Sequence, residues 1–346
     1  MTTYVSHAGD TARDRELVID VWRGNLGREA RLQAKFDWFY RGCPWGAPLL
    51  QLLRHEPSSA WVGVAGAGPR RMLLGNNEIK AGVLVDLTVL PDHRSLGPAL
   101  ALQKALVTAS GRRFDLLYGF PNPKAAAVFK RVGYSQLGEL VRYVRVLRYR
   151  GFLERKMPSA AARPLGWALD AASRLHAAAA SRGRRRLSAE WRDAVDSRVD
   201  RLWSCSEHGA ALIAPRNAAF LRWRFDQAPV PRIRYLLLGD RRGDALLAWF
   251  ACEGEGSTLH VRDFWSVDAA RSIGRPFIGA LLRAADREGY ASVSVEYAGA
   301  ASRRRGWLKA GFVARTSRPV FGKWWRGADA AGGEDNLHLT SADQDE

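Results

Sequence analysis

Residues 86–99 read DLTVLPDHRSLGPA, and the last of them opens the run ALALQKALVTA. An apolar, β-branched stretch stops at Pro91. A short polar turn then carries Arg94, Ser95, Leu96, Gly97, Pro98 and Ala99 into a helix-like segment. A strand feeding a glycine-containing turn at a helix start is a common anion-binding device. Amides left free at a helix N-terminus point outward, and the helix dipole favours negative charge there. Gly97 permits close backbone approach, and Arg94 can add a charge-assisted bond. Pro98 has no N–H and removes one donor, although proline is tolerated in a first helical turn. Taken singly, the turn reads equally well as a plain connector.

The stretch has an echo. DLTVLPDHRSLG (86–97) matches DFWSVDAARSIG (263–274), which pairs Asp86 with Asp263, Arg94 with Arg271 and Gly97 with Gly274. Upstream, FDWFYRGCP (36–44) lines up with LRWRFDQAP (221–229), placing Trp38 on Trp223 and Tyr40 on Phe225. Downstream, FKRVGY (129–134) matches WLKAGF (307–312). Three matches in one order describe a domain written twice. The expected layout is a first domain over 1–150, a basic linker over 151–187, a second domain over 188–326 and an acidic disordered tail over 327–346. Twelve Lys or Arg and two acids fall between Arg142 and Arg186, and Leu165, Leu169, Ala172 and Leu175 suggest an amphipathic linker helix there. In each copy the aromatic pair (Trp38 and Tyr40, Trp223 and Phe225) is expected in the core by default, with the lining of a cleft by one ring of each pair as the alternative.

Hydropathy patterning gives helices over RDRELVIDVWRGN and QAKFDWFYR, and strands over PLLQLLRHE, SAWVGVAGAG and RRMLLG. A long central strand IKAGVLVDLTVLP, the helix after Gly97, a buried strand FDLLYGFP, a helix NPKAAAVFKRVG closed by Gly133, and a final strand ELVRYVRVLRY follow. The second copy repeats this order from about Glu190 to Trp325.

These residues resemble the GNAT (GCN5-related) N-acetyltransferase superfamily. Val89, Pro91, Arg94, Gly97 and Ala99 match its V-x-P-x-x-R-x-x-G-x-A pyrophosphate loop. Asn122, Ala125, Gly133 and Tyr134 match the signature that follows the next strand. The resemblance implies an α/β fold of two tandem domains, each a mixed, largely antiparallel central sheet flanked by helices. It also implies an acyl-CoA donor such as acetyl-CoA, with no metal. The donor would touch Leu87, Val89, Leu90, Arg94, Ser95, Leu96, Gly97, Pro98 and Ala99, with Asn122 opposite. The implied reaction is acyl transfer to an amine, an amino sugar or amino acid, as in envelope or exopolysaccharide biosynthesis. The tyrosine the family often uses as acid is here Phe129, which has no proton to give. Asp86 is the leading candidate for a base or amine anchor, and its rival role is structural because Asp263 repeats it. Tyr118 and His93 are further candidates. In the second copy Asn122 becomes Ala300 and Phe129 becomes Trp307, so donor binding is assigned to the first copy.

Composition frames these readings. The chain carries 53 Lys or Arg against 35 acids, for a net charge of +18, and six of those acids lie in the last twenty residues. Such an excess favours acidic partners: an acyl carrier protein as donor or an anionic membrane surface, with nucleic acid less favoured. No apolar run reaches about 18 residues and the N-terminus has no signal-like pattern, which points to the cytoplasm or the inner face of the membrane. Cys43, Cys205 and Cys252 have no pairing or zinc-like spacing. No Walker loop, HExxH or Ser–His–Asp arrangement appears. Two alternatives stand beside the acyltransferase: a Fem-type aminoacyl-tRNA-dependent transferase, and a non-catalytic binding module on a degenerate scaffold.

Overall fold

The computed structural model describes residues 3–27, 29–149, 187–229, 232–240, 244–326 and 336–344. Their strands join one sheet, and its first half keeps the predicted order of helices and strands with an added N-terminal strand, β1, that the hydropathy pattern does not give. β1 (Tyr4–Ala8), β2 (Leu49–His55), β3 (Ala60–Leu74) and β4 (Asn77–Val89) are antiparallel neighbours, and β5 (Leu116–Gly119) lies parallel to β4. Helices α1 (Arg15–Trp22), α2 (Leu32–Phe36), α3 (Leu96–Ser110) and α4 (Pro123–Arg131) fill the connections, and β6 (Ser135–Val146) ends this half. The break expected between SAWVGVAGAG and RRMLLG is absent. β3 continues through Pro69, because β2 stops pairing at Ala67 and the proline's missing N–H costs no ladder bond on that side.

The second half comprises β7 (Leu187–Arg192), α5 (Arg198–Cys205), β8 (Leu212–Ile213), α6 (Ala218–Leu221), β9 (Arg234–Asp240), β10 (Leu246–Glu255) and β11 (Thr258–Ser266). It continues with α7 (Arg275–Arg287), β12 (Ser292–Gly299), α8 (Ala301–Lys309), β13 (Val313–Trp324) and β14 (His338–Thr340). The strand order β1-β2-β3-β4-β5-β13-β6-β12-β11-β10-β9-β7 reads nearly the same from both ends. Both halves have an antiparallel run ending in one parallel pair, β4 with β5 and β11 with β12. Their last strands are exchanged. β13 lies against β5, β6 lies against β12, and the two pair with each other at the centre.

Three hydrophobic clusters follow from this layout. One face of the sheet carries a cluster shared by both halves, with α1 and α2 residues packed among residues of α5, α6 and the chain's last described segment. The other face carries two separate clusters, one under α3 and α4 and one under α7 and α8. The repeated aromatic motifs meet in the shared cluster. Asp37–Arg41 and Arg222–Asp226 are both π-helical turns. Trp38 and Trp223 stack at 4.8 Å between ring centroids, and Trp38 Nε1 donates to the Trp223 carbonyl at 2.7 Å. Trp38, Tyr40, Trp223 and Phe225 are all buried, which is the core placement expected by default. Large rings at a contact between two sheet halves gain more from mutual packing than from exposure.

The last segment is a second correction. Residues 337–344, read from composition as part of a disordered tail, are buried. β14 pairs antiparallel with β12, and Asp343 reaches the guanidinium of Arg216. Asp343, the acid among the described residues of this segment, is a structural partner of Arg216. Residues 327–335 and the expected linker helix with Leu165, Leu169, Ala172 and Leu175 lie outside the described residues.

Candidate functional site

β4 and β5 pair only from Ala81 to Val83 on one strand and from Leu116 to Tyr118 on the other. Beyond that point they part, and a cavity of about 1060 Å³ opens between them. β4 supplies its wall from Leu84 to Val89, and Phe120, Pro121 and Asn122 face it after β5. Arg94, Ser95, Leu96 and Ala99 line one end, and Ser317, Arg318 and Pro319 reach in from β13. The strand exchange therefore gives the cavity a wall from the second half.

The turn at 91–97 has the features of an anion cradle. Ser95 is the N-cap of α3, and Leu96 and Gly97 are its first two residues, whose amides have no acceptor within the helix. A Cβ on Gly97 would meet nothing within 4 Å among the described residues, so the backbone there is open to a ligand. Pro98, in the next position, is buried. Arg94 is tied into the turn: its Nε donates to the Val89 carbonyl at 3.0 Å and its Nη2 to Asn25 Oδ1 at 2.6 Å. Asn25 itself lines the cavity. On the opposite wall Asn122 caps α4, with its Oδ1 accepting from the Ala125 amide at 2.9 Å. That bond explains the Asn-x-x-Ala spacing and leaves the carboxamide N–H2 as a donor at the cavity wall.

Asp86 is the strained residue of the site. Its φ is +54°, in the left-handed region, at a bulge where the β3–β4 register slips between Val64 and Gly66. A non-glycine residue in that conformation inside a strand costs on the order of 1–3 kcal/mol and persists where the surroundings over-determine it. The surroundings here are Lys35, whose Nζ donates to Oδ1 at 2.6 Å, and Tyr40, whose hydroxyl donates to Oδ2 at 2.9 Å. The carboxylate side chain is fully buried, and Lys35 also lies 5.6 Å from the Trp22 ring centroid. Sequence reasoning missed Lys35, although a lone basic residue inside QAKFDWFY was the available signal.

The other expected residues divide cleanly. Leu87 and Val89 line the cavity with Asp86, and so does Phe129, while Leu90, His93, Gly97 and Pro98 are not part of its wall. His93 instead bonds Tyr4, with 3.1 Å between its Nδ1 and the hydroxyl. Tyr118 is fully buried away from the cavity and donates to the Asp343 carbonyl at 3.1 Å. Strand alternation turns it to the shared cluster while Leu117 faces α3 and α4. Burial, and then the Asp343 carboxylate, push its phenol well above the ordinary tyrosine range, so it holds its proton as a structural donor.

The repeat-related Asp263 has a different setting. Arg216 Nε donates to its Oδ1 at 3.2 Å and Thr340 Oγ1 donates to the same atom at 2.9 Å. Arg216 also donates to both oxygens of Asp343, at 3.0 and 2.5 Å. All three charged side chains of this group are buried. Among the described residues, no three His, Cys, Asp or Glu are placed to hold a metal, and no helix is long and apolar enough to cross a membrane.

No protein-family model matches the chain, and no curated protein sequence does. Solved structures do. A probable N-acyltransferase of Enterococcus faecalis is similar at 12% identity and a TM-score of 0.66, over 94% of this chain and 73% of that one. A GCN5-related N-acetyltransferase of Anabaena variabilis is similar at 11% identity and 0.64, over 93% and 72%. The N-myristoyltransferase of Saccharomyces cerevisiae, solved with myristoyl-CoA, is similar at 11% identity and 0.54, over 98% and 85%. The mixed, mostly antiparallel sheet flanked by helices, parted beside its central strand, is the fold of the GCN5-related N-acetyltransferases.

Proposed function

We propose that the chain is an N-acyltransferase that takes an acyl group from acyl-CoA in the cavity between β4 and β5 and passes it to an amine. One observation carries the reading: an open gap between parted parallel strands ends at a helix N-terminus where the Gly97 backbone faces free space. A pyrophosphate fits those amides and the nearby Arg94, and an extended amide-bearing arm fits a gap between strands. The neighbour from yeast holds a donor of this class.

The chain's own residues then divide the work. Arg94 and the α3 terminus hold negative charge at one end, and Asn122 offers its amide across the gap. Asp86 at the strained bulge anchors the incoming amine, with Lys35 and Tyr40 fixing its carboxylate. The attacking nitrogen forms the new amide as the thioester C–S bond breaks, and its proton leaves to a base while the thiolate departs. Phe129, on the cavity wall, cannot serve as the acid for that thiolate.

The test is isothermal calorimetry with acetyl-CoA and with uncharged and charged tRNA. Acetyl-CoA binds, and Arg94→Ala weakens it about tenfold, the loss of one charge-assisted bond. Absence of any thioester binding, or binding of charged tRNA alone, overturns the reading. Asp86→Asn keeps a residue type that accepts the left-handed conformation and removes only the charge. It is expected to leave acetyl-CoA binding within about twofold and to lower kcat/KM for the amine at least about tenfold, read by thiol release. Unchanged turnover would return Asp86 to a structural role beside Lys35.

A further inference from the structure

The second half repeats the geometry of the donor site, and each part of it is already filled by the chain itself. β11 and β12 pair in parallel from Thr258 to Val261 and from Ser292 to Val295, then part as β4 and β5 do. Between them lies the last described segment. Thr340, Leu339 and His338 pair with Tyr297, Ala298 and Gly299 of β12. From the other side Thr340 Oγ1 donates to Asp263 on β11, and the His338 ring packs 5.5 and 5.3 Å from those of Phe264 and Trp265. His338, Leu339 and Thr340 have no exposed surface, and burial beside Arg216 and Arg303 holds the imidazole neutral.

The anion end is filled as well. Gly274, the repeat partner of Gly97, is the N-cap of α7, and its amide donates to Asp268 Oδ1 at 3.2 Å. A Cβ there would stand 2.5 Å from Asp268 Oδ2, whereas a Cβ on Gly97 meets open space. Ser266 fixes the same carboxylate through a 2.6 Å bond. Arg271, the partner of Arg94, is exposed and faces Glu207 at 3.5 Å. A carboxylate thus sits on the amide a phosphate would use, and an extended peptide sits where an extended arm would lie.

We propose that the second cleft is a strand-binding site whose ligand is residues 337–344 of the same chain, so that the protein binds one acyl donor and not two. The limit to one donor holds if the first cleft is the donor site proposed above. Strand addition supplies backbone bonds along β12, and Thr340 and Asp343 add anchors on Asp263 and Arg216. Nothing in this arrangement leaves room for a second donor without withdrawing the segment.

The experiment has two readouts that fail separately. Native mass spectrometry of the full chain with saturating acetyl-CoA is expected to show one bound molecule, unaffected by Arg271→Ala and weakened about tenfold by Arg94→Ala. Two bound molecules overturn the proposal. None overturns the donor reading instead and leaves the second readout to decide the strand site. For that readout, a protease site is placed within residues 327–335 and the folded chain is nicked. The released C-terminal peptide is expected to stay bound through gel filtration, to exchange with a synthetic peptide of residues 337–346, and to be lost only with a fall in Tm. A peptide that leaves at once with Tm unchanged overturns the proposal.

Discussion

Gly97→Glu is expected to abolish measurable acetyl-CoA binding, a loss of about a hundredfold or more, while leaving Tm within about one degree. The new Cβ enters space that no described residue occupies, and Gly97 does not lie in the left-handed region, so the fold has no reason to object. The added carboxylate stands at the first turn of α3, where the helix dipole stabilises it. The same position would then confront a pyrophosphate with a like charge, a penalty of several kcal/mol in a partly enclosed site. A hundredfold change corresponds to about 2.7 kcal/mol. Calorimetry and a thermal melt on the same sample check both halves of the statement. Retained binding with an unchanged melt would show that the phosphates do not use this turn. Gly97→Ala serves as the control and is expected to change little.

Arg216→Met is expected to destabilise the chain by about 3–5 kcal/mol, the usual cost of leaving buried charges without their counter-ion. Arg216 is fully buried and serves two carboxylates, Asp263 and Asp343. Two acids on one cation leave an unbalanced charge, and burial first, with Asp343 adding, pushes Asp263 up to about 6. An acid with a higher pKa in the folded chain binds its proton more tightly there than in the unfolded chain. Its contribution is therefore complete below about pH 4 and is lost as pH rises through about 6, on the order of 3 kcal/mol in all. Urea unfolding of the wild type between pH 4 and 8 should show that downward step. Asp263→Asn should flatten it, and Arg216→Met should carry the decline to higher pH. Identical profiles for all three proteins would contradict the assignment.

Much of this was legible in the sequence. The turn after β4, the capping Asn122, Gly133 at its positive φ and the order of strands and helices follow from local patterns, which act over a few residues. The Trp38 and Trp223 motifs matched in sequence and proved to be matching π-turns stacked on each other. What escaped notice depends on distance along the chain. Lys35 finds Asp86 across 51 residues and Arg216 finds Asp343 across 127, and no periodicity reports such pairs. The C-terminal segment read as solvated because its last twenty residues hold six acids and no Lys or Arg, whereas Leu337, Leu339 and Ala342 suffice once Arg216 and Thr340 satisfy Asp343. A repeat also tells which strands are equivalent but not which copy each one completes.

That last point governs how the chain can be made. Among the described residues β6 pairs with β12 and β13 alone, and β5 waits for residues 321–324 as its outer neighbour. A ribosome that has released β6 has therefore released a twelve-residue strand ahead of both of its described partners, and it must synthesise most of the remaining sequence before they cover it. Pairings this far apart in sequence are slow to form and expose edges meanwhile. Synthesis rate and chaperone supply, more than final stability, should set the yield of soluble protein, and a gene split between the halves should succeed only when both products are present together.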